Sequence, residues 1–246
     1  MAADTPATQT GSQTGSQTGS QTLSRGIRLL EILAAAERNL TIDELAAELG
    51  VHRSVAYRLL RTLEDHGLVA RDSAGRVTLG TGLAALASGV ARDLQQVALP
   101  ELTDVANELG MTCLLAVQVD ADEAATLVSA APRQSMAVVS YRPGHRHPIT
   151  RGGPGKAILS SLPENAWPDA ATDALRDEIA VTRRRGYAVS HDEVVPSLRS
   201  VAVPLTLPGQ PASSIAVIHV SFSRTEAEIA ERLMAAAAAV RRAYGA

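Results

Sequence analysis

Residues 41–66, TIDELAAELGVHRSVAYRLLRTLEDH, restrict the fold of this chain more than any other stretch. Thr41 and Glu44 form a Thr-x-x-Glu capping box, which starts a helix. Leu45 and Leu49 follow at helical spacing, and Gly50 stands where a helix stops in the left-handed conformation that costs glycine almost nothing. A second helix is predicted from about residue 53, with Val55, Leu59, Leu60 and Leu63 turned inward and Arg53, Ser54, Tyr57, Arg58 and Arg61 on its other face. Such a pair suits either an amphipathic hairpin or a helix-turn-helix, whose second helix lies in the major groove of DNA. The next residues favour the latter. Runs 68–71 (LVAR) and 76–79 (RVTL) are strand-like and flank Asp72-Ser73-Ala74-Gly75, a turn sequence. A hairpin directly after the second helix is the wing of a winged helix, with Arg71 and Arg76 placed to reach phosphate.

The chain has 246 residues, 46% of them hydrophobic, enough for two domains. A net charge of −3 carries no global nucleic-acid signature. Residues 52–76, however, hold five arginines (53, 58, 61, 71 and 76) against Glu64, Asp65 and Asp72, a local +2 that suits a reader of sequence more than a bulk coater of DNA. Cys113 is the only cysteine, which excludes an intrachain disulfide and a cysteine-based zinc site. No signal peptide is visible and no apolar run approaches the ~18 residues of a membrane helix, so the expected compartment is the cytoplasm and no membrane partner is expected.

Residues 1–22 are a low-complexity tail built on QTGS, too polar to order itself. Leu23, Ile27, Leu30, Leu33 and Ala34 define a first helix. Residues 81–97, rich in small side chains, read as a linker helix and a candidate dimer contact. Pro100 is expected to open the next helix, with Leu99, Leu102, Val105, Ala106 and Leu109 buried and Gly110 ending it. Strands are predicted at 112–119, 125–130, 136–141, 200–206 and 214–221, and helices at 155–162, 172–185 and 226–243. The last of these carries a capping box of Thr225 and Glu228. Adjacent strands in this order favour a largely antiparallel sheet with helices packed on it, an α+β domain. Arg183-Arg184-Arg185 falls in a last helical turn, where cations favour the dipole's negative end.

Other chemistries find less support. His145 and His147 share one face of an extended segment, and His191 or His219 with Asp192 or Glu193 would complete a metal set. Loop histidines beside Pro-Gly read more simply as surface groups, and no metal or cofactor is expected. No Gly-x-Ser-x-Gly elbow supports a hydrolase. GPGKA lacks the first glycine of a phosphate loop and has Ala157 where Ser or Thr binds magnesium. A small-molecule-binding adaptor that does not touch DNA is the other alternative to a regulator.

In order and spacing these parts resemble the IclR family of bacterial transcription regulators, from about residue 23 to 246. The resemblance rests on LTIDELAAELGVHRSVAYRLLRTLEDHGLV with its wing RDSAGRVTLG, on GGPGKAILSSLPE, and on RRRGYAVSHDEVVPSLRSVAVPL. It implies a winged helix-turn-helix (23–80), a linker helix (81–97) and a GAF-like α/β effector-binding domain with a mainly antiparallel sheet (98–246). It further implies a homodimer or dimer of dimers on a palindromic double-stranded operator, repression, and control by a small organic acid. The implied effector pocket has Met136 and Val139 as apolar wall, Gly153, Pro154 and Gly155 at a helix start, and Ser190, Ser200, His219 and Ser221 on the sheet side.

A helix opening at Gly153-Pro154-Gly155 presents free N–H groups and a positive dipole end, a natural seat for a carboxylate. Lys156, the only lysine in the chain, either guides an anion or faces solvent. Three positions depart from the family pattern: Ser190 stands where relatives often have Asp, Ser200 where many have Cys, and His219 where many have Ser. The segment after Pro163 is also shorter than usual. These departures make the pocket less acidic and favour an aromatic carboxylate with a second polar group, such as a hydroxybenzoate.

Overall fold

The structure, a computed structural model, describes residues 19–134, 139 and 141–245. The chain divides into two units, Met1–Val90 and Ala91–Ala246. In the first, helix α1 (Gln21–Ala35) begins two residues before the predicted Leu23, because the Ser20 side chain caps it by accepting the Leu23 N–H. Helix α2 (Ile42–Glu48) starts at the expected capping box: the Thr41 hydroxyl accepts the Glu44 N–H at 3.3 Å, and the Glu44 carboxylate accepts the Thr41 N–H at 2.7 Å. Gly50 turns the chain at φ 63° into helix α3 (Arg53–Asp65). Strands β1 (Val69–Arg71) and β2 (Val77–Leu79) pair antiparallel as the wing, and Leu40 bridges to Val77 to tie the wing back to the helices. Leu29, Leu33, Leu45, Leu59, Leu60, Val69 and Val77 form the core of this unit.

The stretch 81–97 is not one helix. Helix α4 (Gly82–Ala87) stops, the chain turns through Ala91 at φ 43°, and helix α5 (Arg92–Leu109) begins. Small residues around Gly89 give little reason to hold helical geometry across 88–91. Pro100 therefore lies inside α5 and does not open it. Its ring removes the bond that the Gln96 carbonyl would receive, while Leu94, Ala98, Leu102, Val105, Ala106 and Leu109 bury a continuous stripe on both sides of it. The helix starts earlier than predicted, so Ala98 belongs to that stripe and Leu99 stays exposed.

The second unit is built on a six-stranded antiparallel sheet of order β5-β4-β3-β8-β7-β6. Its strands are β3 (Thr112–Gln118), β4 (Glu123–Ala130), β5 (Arg146–Pro148), β6 (Ala188–His191), β7 (Arg199–Leu205) and β8 (Ser213–His219). Alternation of side chains along each strand feeds two cores. Cys113, Leu115, Val201, Val203, Ile215 and Val217 face α5 and the last helix, α8 (Glu226–Tyr244). Leu114, Ala116, Ala202, Ala216 and Ile218 face helices α6 (Gly152–Ser161) and α7 (Asp173–Arg185). A bulge at Leu115/Ala116 shifts the β3–β4 register so that Thr126 opposes Ala116 and Val128 opposes Leu115.

Two strands, β5 and β6, add to those predicted; they are short edges of three and four residues. Of the predicted strand 136–141, Met136 and most of its neighbours lie outside the described residues. Val139 and Tyr141 are described and are not in a strand. Their carbonyls accept hydrogen bonds from the Thr112 and Ser129 hydroxyls at 2.7 and 2.5 Å, so side chains tie them to the sheet. The arginine triplet does more than cap its own helix. Arg183 donates to the Ser160 and Leu162 carbonyls at the end of α6, and Arg185 lies over the Tyr187 ring.

Candidate functional site

The first candidate surface is the exposed face of α3. Ala56, Leu59 and Leu60 are buried beneath it, so Ser54, Tyr57, Arg58 and Arg61 point outward by helical spacing. The His52 ring caps α3 by accepting the Ser54 N–H at 3.3 Å and also meets the Ser54 hydroxyl at 2.9 Å. Arg53 pairs with Asp43 at 3.2 Å, both well exposed. Among the described residues, Arg58, Arg61 and Arg76 form no salt bridge with an acid. Arg71 is different from the rest. Its guanidinium grips Glu64 of α3 through two bonds, 2.5 and 3.1 Å, and sits 5.7 Å from the centre of the Tyr57 ring. It braces the wing against α3 and is already engaged. At the far end, Arg38 binds Glu44 at 2.6 Å and, with the capping bonds from Thr41, holds that carboxyl down at about 2.

The second candidate is the start of α6. Gly152 takes φ 77°, and close approach to β7 and to the Ile149 backbone explains the glycines at 153 and 155. A Cβ at Gly153 would lie 2.5 Å from the Ser200 hydroxyl, and one at Gly155 would lie 2.3 Å from the Ile149 carbonyl oxygen. Two donors at this helix start, those of Gly152 and Gly153, are already occupied. The Gly152 N–H donates to Glu193 Oε2 at 2.9 Å and the Gly153 N–H to Ser200 Oγ at 3.0 Å; Ser200 in turn meets Ser190 Oγ at 2.7 Å. The Ser214 hydroxyl donates to the Pro154 carbonyl at 3.0 Å and pins the helix start to β8. Lys156 neither faces solvent nor stands open to an anion. It is 5% exposed, and its Nζ bridges Glu193 Oε1 at 2.6 Å and the Glu178 carboxylate.

Beside this helix start is a chamber lined by Leu114, Tyr141, His147, Pro154, Val194 and Ile218, among others, with Gly152, Ser190, Glu193 and Ser200 on its polar side. Its volume is about 20 Å³, room for roughly one water. His147 is 5% exposed, and neither ring nitrogen has a hydrogen-bond partner among the described residues. Burial, helped by the nearby His145, pushes its pKa down to about 4, so near neutral pH the ring is uncharged with one donor and one acceptor. Burial also raises the Tyr141 phenol above its usual range.

Of the residues read from sequence, Pro154, Ser190 and Ser200 line the chamber and Gly153 is bonded to Ser200, whereas Gly155 packs against Ile149 and does not line it. Met136 lies outside the described residues, and Val139 packs against the core shared by the sheet, α6 and α7 without lining the chamber. His219 and Ser221 lie elsewhere. His219 shares its strand face with Ile215 and Val217, toward α5 and α8, and its Nδ1 is 2.5 Å from the Ser221 carbonyl oxygen. The predicted strand 214–221 ends at His219, which leaves Ser221 past the sheet. The reading from sequence misses the chamber roles of His147, Tyr141 and Glu193. It takes His147 for a surface or metal-binding group, yet no three His, Cys, Asp or Glu side chains gather as a metal set among the described residues. The missing signal is β5, too short to show an alternating pattern.

A winged helix that presents unpaired arginines on its second helix defines a DNA-binding regulator, here joined to a sheet domain with a small internal chamber. Residues 22–73 match the IclR helix-turn-helix domain, and residues 87–242 match the family described as bacterial transcriptional regulator IclR C-terminal. The chain belongs to the IclR family. It is 32% identical to the HTH-type transcriptional regulator Rv1719 of Mycobacterium tuberculosis over 96% of this chain and 94% of that one. It is 29% identical to the acetate operon repressor of Salmonella typhimurium, over 73% of this chain and 72% of the relative. The crystal structure of an IclR transcriptional regulator from Alicyclobacillus acidocaldarius superposes with a TM-score of 0.80 at 27% identity, covering 92% of this chain and all of that one. Members of this family are transcription regulators, not enzymes, and membership implies operator DNA and a small-molecule effector as partners. No helix of the described residues is long and apolar enough to cross a membrane.

Proposed function

We propose that this chain is a cytoplasmic repressor that binds a palindromic operator as a homodimer or dimer of dimers and is released by a small organic acid. In this reading residues 23–80 bind DNA, 81–97 link, and 98–246 bind the effector. Arg58, Arg61, Tyr57, Ser54 and Arg53 meet the major groove and Arg76 of the wing a phosphate, while Arg71 holds the wing in place. The observation that carries the effector half is His147: a neutral imidazole with two unused polar atoms, buried in a chamber that also holds a carboxylate at a helix start. An aromatic acid with a phenolic hydroxyl satisfies both ends, its carboxylate at Gly152 and its hydroxyl at His147. The role read from sequence for His219 thus passes to His147. An IclR homolog from Microbacterium hydrocarbonoxydans, 22% identical with a TM-score of 0.78 over 91% of this chain, has been crystallised with 4-hydroxybenzoate, which supports that ligand class by analogy.

The test uses the full chain, duplexes selected from a random-sequence pool, and a panel of benzoates and short aliphatic acids. At least one acid should raise the melting temperature and weaken duplex binding by about 5- to 150-fold, the range a coupling of roughly 1–3 kcal/mol gives. A panel in which acids bind yet leave duplex affinity untouched overturns the proposal, as does a panel in which none binds.

A further inference from the structure

The start of α6 already holds a carboxylate, and the protein supplies it. Glu193 places Oε2 on the Gly152 N–H at 2.9 Å and Oε1 on Lys156 Nζ at 2.6 Å. We propose that Glu193 is a built-in occupant of the effector's anion seat, and that an acid effector binds by displacing it and lifting the 192–198 loop. The inference rests on the reading that an organic acid binds in this chamber, and it adds how the seat is gated.

Four observations carry it. First, a chamber of about 20 Å³ is far short of the roughly 300–1,000 Å³ of a small-molecule site, so any effector must move something. Second, His147 is only 5% exposed, lines that chamber and leaves both ring nitrogens without partners among the described residues. Buried polar atoms are nearly always satisfied, and an imidazole left in this state points to a ligand that completes it.

Third, the exchange is balanced. Lys156 is held by Glu178 as well as Glu193, so it keeps one carboxylate when Glu193 leaves. The incoming carboxylate takes over the Gly152 N–H, and the charge inside the chamber does not change. The Glu193 side chain is 28% exposed and so has a route to water, where it recovers full hydration. Fourth, the segment that carries Glu193 is built to move as a piece. It is flanked by Asp192 at φ 59° and Ser197 at φ 67°, left-handed conformations that favour glycine. It is closed on itself by the Asp192 N–H donating to the Leu198 carbonyl at 3.0 Å. Its Val194, Val195 and Leu198 form one wall of the chamber, so withdrawing the segment enlarges the very space the effector needs.

The experiment titrates benzoate into the full-length parent, Glu193→Ala and Glu193→Gln by calorimetry. Glu193→Ala, which removes the internal competitor, should bind benzoate about tenfold tighter or more, and Glu193→Gln, whose neutral amide oxygen still accepts the Gly152 N–H but more weakly, should also bind tighter than the parent. Acetate should restore the melting temperature lost in Glu193→Ala, and acetamide should not. In the parent, saturating benzoate should speed amide hydrogen exchange in residues 192–198, a readout that needs no variant to fold. Equal or weaker benzoate binding in both variants, or slower exchange in that loop, overturns the proposal. If either of those results is found while the parent still releases duplex with acid, the acid-effector reading stands and only the gating idea falls. If parent and variants all fail to bind benzoate, acetate and 4-hydroxybenzoate, the acid-effector reading falls with it.

Discussion

A single buried imidazole makes the stability of the C-terminal unit depend on pH. His147 is held near 4 in the fold and returns to about 6.5 when the chain unfolds. Above 6.5 both states are neutral at this site and nothing is lost. As pH falls from 6.5 toward 4 the unfolded chain takes up a proton that the folded one refuses, so stability falls across that window and levels off below it. The full loss is about 3 kcal/mol. Urea titrations between about pH 7.5 and 4 should show it in the parent, and His147→Phe should flatten the curve through that window. An unchanged curve would mean that other groups set the acid limb. Residue-level chemistry is only partly legible in the sequence. Ser190 and Ser200, read from sequence onto one surface, stand directly across from each other on β6 and β7. The glycines of α6 stand out in the sequence for their donors, whereas the Ile149 backbone beside Gly155 and the Ser200 side chain beside Gly153 demand them. His219 falls on the face opposite to Ser200, because it stands across from Arg199 while Ser200 stands across from Ile218.

At the level of elements, α3 and its wing behave as one piece. The bond pair from Arg71 to Glu64 and the Leu40–Val77 bridge tie β1 and β2 to the helices on both sides. Arg58 and Arg61, which form no salt bridge among the described residues, remain for the duplex. Arg58→Ala and Arg61→Ala should each weaken binding at every salt concentration. For each arginine that contacts a phosphate, the slope of log K against log salt should become shallower by about 0.9. Isotherms that superpose on the parent from low to high salt would remove these side chains from the interface. This element is the most readable part of the chain, since capping boxes, a glycine turn and helical spacing are local signals. The α4–α5 break and the edge strands β5 and β6 are not, because proline tolerance inside α5 and three- or four-residue pairing depend on what packs against them.

Across the whole molecule, the two units differ in how they hold charge. The first leaves arginines open on one helix face; the second encloses one charge, Lys156, between Glu193 and Glu178. The family assignment is legible from three motifs spread over both units, while the closed state of the chamber is not, since it depends on a glutamate outside the motif it blocks. That enclosure also gives the protein a chemical reporter of its own. Lys156 is the only lysine ε-amine in the chain and is 5% exposed. An amine-directed acylating reagent should therefore leave this side chain unmodified in the native protein and modify it fully in denaturant, as read by peptide mass spectrometry. Rapid modification under native conditions would show that the enclosure opens freely. If it stays slow, the extent of acylation at one atom counts how often the second unit comes apart, without a dye or an engineered probe.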